Sequence, residues 1–407
     1  MGDKLKLFLF CESLSHGRGG AERIVTNLAF EMIKRGHLVC LGFDGSGAPA
    51  YQQHEDALFA PWNKSIPPYE YKNNLIEQGY DVFFVFYFAR HIMNFFRLNA
   101  ESKIPFGMQE CSNPKRICLQ TWRNTTGRIA HSSWERELIA SAATRIRMVM
   151  PGYEKSFPQY IRQNTRAFPN SVPDVSNRAT PAGNGLAPNK IIIIGGHKKN
   201  KNFLLLLEAF IKIEKEFPDW EIHNFGSPLK MDNAYHTVIM NKVASSQLKN
   251  RVFFHPATKD IFAEYAAAHI HAIPSLNEGC PTCVLEAMAH GLPSVGLASC
   301  PGTNELIKNG KNGLLVKDDI TGGEMAQALT ELMNSPHLRE SLGNQALYDA
   351  KKYQAKDTYD QWEKMFYEMA AYKNDPERLL REQIAVDKER ALHMARCRQK
   401  IFQQDYK

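Results

Sequence analysis

Long apolar runs are missing from this chain. The longest unbroken apolar stretch is Val82 to Ala89, bounded by Asp81 and Arg90, far short of the ~20 residues that a membrane-spanning helix needs. A fully buried parallel strand accounts for it better. The opening Met-Gly-Asp-Lys leads into a strand-like run without the apolar segment and cleavage site of a secretory leader, so the expected compartment is the cytoplasm. Cysteine is sparse: eight residues at irregular spacing give no disulfide framework and suit reduced thiols. Cys280-Pro-Thr-Cys283 has redox-motif spacing at a helix start, where a thiolate would be stabilised. Zinc there would need two further ligands, with His271, His290 and Cys300 the nearby candidates; filling of small packing spaces is the preferred reading. A net charge of +7 over 407 residues is too small to single out nucleic acid, and no zinc finger, RNP-like motif or dense basic run accompanies it. Gly17-x-Gly19 lacks a third glycine at position 22, and no glycine loop ends in Gly-Lys-Ser/Thr, which excludes the dinucleotide and Walker loops.

What is present is a two-part α/β pattern. The length suggests about two domains, and an apolar content of 43% is ordinary for a globular chain. Residues 6–11 read as a strand, 21–34 as a helix closing at Gly36, and 37–43 as the next strand. Residues 81–88, 105–109 and 128–131 would continue that sheet, and such alternation builds a parallel, doubly wound fold. A stretch rich in Pro, Gly, Asn and Ser at 170–190 marks a linker. A second set follows: strand 190–196, a helix over 203–217 with Leu204, Leu207 and Ile211 on one face, and strands at 220–225, 251–255, 269–274 and 293–297. A helical stretch runs from Gly323 towards Tyr353, and from Lys373 on the chain is charged and helix-prone.

The richest segment is Pro274-Ser-Leu-Asn-Glu278-Gly-Cys-Pro-Thr-Cys-Val-Leu-Glu286. A short buried strand ends there, Gly279 allows a tight turn, and Pro281 suits the first position of a helix. Glu278 then belongs to the loop and Glu286 to the helix. Backbone N–H groups at the helix start, near Thr282 and Cys283, form an anion site where ligands of open α/β sheets sit. A diphosphate flanked by two carboxylates that accept hydroxyl hydrogen bonds describes a nucleotide sugar.

With this spacing and the following Ala-Met-Ala-x-Gly-x-Pro, the chain resembles the retaining, GT-B-fold glycosyltransferases of family 4. Other matches are Gly19-Gly20-Ala21-Glu22, Phe168-Pro169-Asn170, Gly195 with Lys201-Asn202, and Gly302-x-x-Glu305 with Asn312-Gly313. The resemblance covers about residues 5 to 370 and implies two Rossmann-like domains facing across a cleft. These are an acceptor-binding domain over 1–175, a nucleotide-sugar domain over 186–355, a crossover helix over 356–372 and a charged tail over 373–407.

The resemblance also implies roles. Glu278 would contact the donor sugar and Glu286 the ribose hydroxyls, while Lys201 would neutralise the departing phosphate. Gly279, Cys280, Pro281, Thr282, Gly195, Gly196, Lys198, Glu305, Gly19 and Gly20 would complete the donor site, with His16, Arg18 and Asn113 on the acceptor side. Glu110 would orient a substrate or act as base on the acceptor hydroxyl, capping being the alternative. The family usually has Arg where this chain has Gly196, so Lys198 or Lys199 would have to substitute as a point charge. No cofactor or metal is expected: GT-B enzymes use protein cations, and no Asp-x-Asp motif occurs. Arg90, His91, Phe95, Phe96, Arg97, Lys115, Arg116, Trp122, Arg123 and Arg128 interleave cations and aromatics in the acceptor half. They suit a lipid-linked acceptor and peripheral contact with the inner membrane face. The expectation is sugar transfer from a nucleotide-diphosphate sugar to a hydroxyl, in cell-surface polysaccharide, lipopolysaccharide or glycolipid synthesis. The alternatives are a non-catalytic nucleotide-sugar-binding scaffold, a thiol redox protein and a sugar-nucleotide epimerase of the same fold.

Overall fold

A computed structural model describes residues 3–15, 20–45, 49–62, 68–86, 104–111, 130–183, 185, 188–226, 233–258 and 260–404. The chain builds two parallel sheets. The first contains β1 (Lys6–Cys11), β2 (Leu38–Asp44), β3 (Leu58–Trp62), β4 (Val82–Phe86), β5 (Phe106–Glu110), β6 (Arg145–Met148) and β7 (Thr165–Ala167), in the order β3-β2-β1-β4-β5-β6-β7. The second contains β8 (Asn189–Ile194), β9 (Trp220–Phe225), β10 (Val252–His255), β11 (Ile270–Ile273), β12 (Ser294–Leu297) and β13 (Gly313–Val316), in the order β10-β9-β8-β11-β12-β13. Strand order reverses between β1 and β4 and between β8 and β11, and crevices at such switch points are where open α/β sheets bind ligands.

Both faces of the first sheet are covered, as its apolar strands require. Phe8, Phe10, Phe83 and Val85 enter one buried cluster, while Leu7, Leu9, Val82, Phe84 and Phe86 enter another on the opposite face. The second cluster is closed by the helix Ala355–Ala370, whose Trp362 ring lies edge-on to Phe84 at 5.0 Å and to Phe168 at 5.5 Å. Polar clamps hold the same helix: Glu363 pairs with Arg35 at 2.7 Å, and Glu368 with Arg145 at 2.8 Å. The charged tail is one helix, Pro376–Gln404, with Val386 buried and Leu380, Ile384 and Leu392 exposed.

Several sequence expectations need correction. Ala130 and His131, expected in a strand over 128–131, open the helix Ala130–Ala142; the next strand is β6. Its pattern Arg-Ile-Arg-Met hides it, because both arginines are buried for polar contacts. Edge strand β3 carries Pro61, which an edge tolerates and a sequence pattern penalises. The helix expected from Gly323 towards Tyr353 is two, Gly323–Asn334 and Pro336–Ala350. The break is at Ser335, whose hydroxyl accepts the Leu338 N–H at 3.1 Å ahead of Pro336. In the helix Phe203–Ile213, Leu207 is buried, but the inward face centres on Phe203, Leu206 and Phe210, leaving Leu204 and Ile211 half-buried at its edges.

Arg147 on β6 is wholly buried and ties together β5, the segment 168–170 and the returning helix. Its guanidinium donates to the Gln109 side chain, to the carbonyls of Phe168 and Pro169 at 3.1 and 2.8 Å, and to Asn170 Oδ1 at 3.1 Å, and it stacks on Phe168 and Trp362. Burial pulls its pKa down to about 10, still charged at neutral pH. Arg147→Met should lower stability by about 3 kcal/mol or more, read by urea unfolding, because several buried acceptors lose their donor together. A loss below ~1 kcal/mol would deny the network that weight.

Two histidines of the second sheet are buried neutral. His269 Nδ1 accepts the Lys190 N–H at 3.0 Å, so charging it must break that bond. His271 lies fully buried against Ser294. Burial, with nearby cations adding to it, lowers their pKa values to about 4 and about 3 from the ordinary 6.5. Between pH 6.5 and 4 the unfolded chain takes up protons that the folded chain refuses. Stability should therefore fall as pH drops below 6.5, by about 1.4 kcal/mol per pH unit per histidine. Denaturant unfolding across pH 7 to 4 checks this, and His269→Gln should flatten the slope.

Candidate active site

The loop after β11 and the helix Thr282–Ala289 meet the first sheet at backbone distance. A Cβ at Gly279 would lie 2.1 Å from the Cys111 carbonyl oxygen, so only glycine fits. The Tyr153 hydroxyl donates to the Gly279 carbonyl at 3.0 Å, and Asn170 Nδ2 donates to the Cys280 carbonyl at 3.0 Å. Behind the loop, Glu278 N–H donates to the Pro301 carbonyl at 3.3 Å. From the other side, the helix Gly20–Lys34 starts so close that a Cβ on Gly20 would come within 3.2 Å of Thr282 Oγ1. Two helix starts, each with N–H groups that lack intrahelical partners, therefore converge on one space.

That space is a cleft cavity of about 870 Å³ between the two sheets. Its walls bring together Gly20, Gly195, Gly196, Lys198, Lys201, Glu278, Gly279, Cys280, Pro281, Thr282 and Glu286. Lys201 stretches its stem across Gly195, whose absent Cβ would sit 3.3 Å from the lysine Cδ, and its Nζ pairs with Glu278 Oε1 at 2.7 Å. Burial works against charging Lys201, but the Glu278 carboxylate outweighs it and holds the pKa above the ordinary lysine value. Asn202, next in the chain, takes a left-handed conformation (φ 51°) that turns the backbone into the helix Phe203–Ile213.

Glu286 is almost fully buried, and burial raises its pKa while Arg23 opposes the rise. Arg23, on the helix Gly20–Lys34, reaches across the cleft to place Nη1 2.6 Å from Glu286 Oε1. Sequence reasoning missed this residue, although it directly follows the Gly-Gly-Ala-Glu match and stands one helical turn after Gly20. It also missed Tyr51, Phe225 and Thr258, cavity-wall residues from loops and strand ends that carry no motif.

Other candidates lie elsewhere. Glu110 is buried, with Oε2 2.8 Å from Arg136 Nε, and is absent from the cavity wall, whereas its neighbours Gln109 and Cys111 line it. The structure thus gives Glu110 an ion-pair role beside the cleft in place of contact with it. Glu305 is half-buried on the turn Thr303–Leu306, behind the loop, where its charge acts on Cys280. His16, Arg18, Gly19 and Asn113 lie outside the described residues, as does the aromatic and basic cluster from Arg90 to Arg128. Cys280 and Cys283 are free, buried thiols; burial pushes their pKa values up to about 11 and about 12, overriding the helix start that would favour a thiolate. Among the described residues, no group of three or more His, Cys, Asp or Glu could hold a metal ion, and no helix is long and apolar enough to cross a membrane.

Known proteins resemble this chain in sequence and in fold. Residues 188–335 match the family described as Glycosyl transferases group 1. A glycosyltransferase of Haemophilus influenzae is 26% identical over 356 residues, covering 84% of this chain and 95% of that protein. A Campylobacter jejuni α-1,4-N-acetyl-D-galactosaminyltransferase, named for an undecaprenol-diphosphate-linked acceptor, is 26% identical over 183 residues, 44% of this chain and 48% of its own. In three dimensions, Anabaena HepE in complex with UDP and glucose superposes with a TM-score of 0.71 at 16% identity, covering 88% of this chain and 98% of HepE. Sucrose-phosphate synthase of Thermosynechococcus elongatus gives 0.72 at 18% identity, covering 90% and 99%. With two doubly wound parallel sheets facing across the cleft, the chain is a glycosyltransferase with the GT-B fold of these structures, and its residues 188–335 form a Glycosyl transferases group 1 region.

Proposed function

We propose that this enzyme moves a sugar from a nucleoside-diphosphate sugar to a hydroxyl acceptor, with retention at the anomeric carbon and without a metal ion. The observation that carries the proposal is the convergence of Lys201, Glu278, Glu286 and the start of the helix Thr282–Ala289 on one cavity. The helix start and Lys201 suit the diphosphate, Glu286 the ribose hydroxyls, and Glu278 a hydroxyl of the donor sugar. Gly196 takes the place of the arginine expected from the family, yet Lys198 and Lys201 both line the cavity, so leaving-group charge can be met by protein cations.

In the proposed step the bond from the anomeric carbon to the diphosphate oxygen breaks, and a bond to the acceptor oxygen forms on the same face. The acceptor hydroxyl proton passes to the departing phosphate oxygen, so no protein nucleophile is required. Retention rests on the family resemblance. The Campylobacter relative's acceptor supports a lipid-linked saccharide as the acceptor class, hence a role in cell-surface polysaccharide, lipopolysaccharide or glycolipid synthesis at the inner face of the membrane.

Calorimetric titration with uridine, guanosine and adenosine diphosphates and their sugar conjugates tests the donor site; HepE, solved with UDP, makes the uridine compounds the first to try. One nucleotide should bind, and Glu286→Ala should weaken it about 10- to 100-fold, the scale of one or two hydrogen bonds to a charged group. Glu278→Ala should abolish transfer and leave nucleotide binding and thermal stability near wild type; unchanged turnover would sink the assignment. Transfer assayed in EDTA should proceed at the rate seen with added Mg²⁺, and a chelator-dependent loss restored by a divalent ion would refute the metal-free mechanism.

A further inference from the structure

The contact between Arg23 and Glu286 spans the two domains. Arg23 belongs to the helix Gly20–Lys34, which packs on the first sheet, and Glu286 to the helix Thr282–Ala289 beside the second. Their atoms meet at 2.6 Å, with the carboxylate side chain 7% and the guanidinium side chain 22% exposed. Two rings lie against the arginine: its Cζ is 4.8 Å from the Phe262 ring centroid and 5.7 Å from that of Tyr51. A guanidinium packed against two aromatic rings and paired with a carboxylate has its fork aimed by those contacts.

We propose that Arg23 is a positioning residue for the nucleotide, supplied by the opposite domain, which keeps the Glu286 carboxylate ionised and oriented to accept the ribose hydroxyls. The proposal rests on the reading of Glu286 as the ribose ligand. A carboxylate this deeply buried is costly to keep charged without a partner. The groups facing it are few: Arg23 from the first domain, Tyr51 from the segment ahead of β3, Tyr265 from the helix Ile261–Ala266, and Cys283 from its own helix. Of these only Arg23 carries a positive charge. The Tyr265 hydroxyl donates to the Cys283 carbonyl at 3.1 Å and also lies within hydrogen-bonding reach of the Glu286 carboxylate, so it adds a neutral donor beside the arginine's charge. A protonated Glu286 would lose acceptor capacity towards two neighbouring hydroxyls. The arrangement makes tight nucleotide binding depend on the domains being closed as seen here, since Arg23 reaches Glu286 only across the cleft.

The test compares Arg23→Gln, Arg23→Lys, Glu286→Gln and wild type, with uridine, guanosine and adenosine diphosphates and their 2′,3′-dideoxy analogues as calorimetric probes between pH 6 and 8. Arg23→Gln should weaken the preferred ribonucleotide about tenfold, one charge-assisted hydrogen bond's worth of orientation. The loss should grow as pH falls, because a carboxylate deprived of its cation is protonated at higher pH. The dideoxy analogue should bind wild type and variant alike, and Arg23→Lys should recover part of the ribonucleotide affinity. Equal loss for both analogues would place Arg23 on the diphosphate and overturn the proposal. Tighter binding by Arg23→Gln would also overturn it, showing that the arginine competes with the ligand. If Glu286→Gln binds the ribonucleotide as wild type does, the ribose reading fails and the proposal with it; if Glu286→Gln loses affinity and Arg23→Gln does not, only the proposal fails.

Discussion

A single buried guanidinium links most of what this fold must hold in place. Arg147 sits at the end of a strand in the first sheet, grips Gln109 on the neighbouring strand, and takes three oxygens of the interdomain segment Phe168-Pro169-Asn170. Trp362 of the returning helix covers its face. Asn170, held by Arg147 through its side-chain oxygen, uses its side-chain nitrogen to bind the Cys280 carbonyl. An unbroken chain of hydrogen bonds therefore runs from the first sheet to the loop that carries Glu278. Arg147 can stay buried without a carboxylate partner because its acceptors are several fixed carbonyl and amide oxygens, and a fork of five donors suits such a set better than an ammonium would.

Around the cavity, charge follows the same logic of partnering. Each motif carboxylate meets a cation: Glu278 meets Lys201 within its own domain, and Glu286 meets Arg23 from the other. A carboxylate buried like Glu286 or half-buried like Glu278 favours such a partner, and both pairs line the one cavity. The pairs keep the site organised before substrate enters, which lowers the ordering cost of binding. Glu110 shows the contrasting outcome. It is as deeply buried, but its partner Arg136 lies away from the cavity wall, and the pair serves the first domain's packing.

Much of the fold was legible because parallel strands buried on both faces announce themselves as apolar runs: 6–11 and 81–88 each contain or coincide with a strand of the structure. The strands that escaped notice had reasons to look wrong. Arg145-Ile-Arg-Met puts two guanidinium groups where a pattern reader expects valine, and Leu58–Trp62 contains a proline that only an edge position allows. The helix at 130–142 was mistaken at its start for a strand because a few residues without periodicity cannot distinguish the two. Cys280 and Cys283 illustrate a different limit. Their spacing points to reactive thiols, and only the tertiary packing shows both to be buried, with pKa values raised against the thiolate.

Local sequence alone determined the parallel α/β alternation, the loop and helix that separate Glu278 from Glu286, and the glycines that make room for the Lys201 stem at Gly195 and for a neighbouring backbone at Gly279. These are local matters, set by periodicity, turn chemistry and the absence of a Cβ. Tertiary structure alone decided which cations answer the carboxylates, that Arg23 crosses from one domain to the other, that Glu110 turns to Arg136, and that Arg147, through Asn170, connects the first sheet to the loop carrying Glu278. Such pairings join residues as far apart as Arg23 and Glu286, 263 positions along the chain. They depend on where the two sheets come to rest against each other, and that placement is an outcome of packing over the whole chain that no short segment encodes.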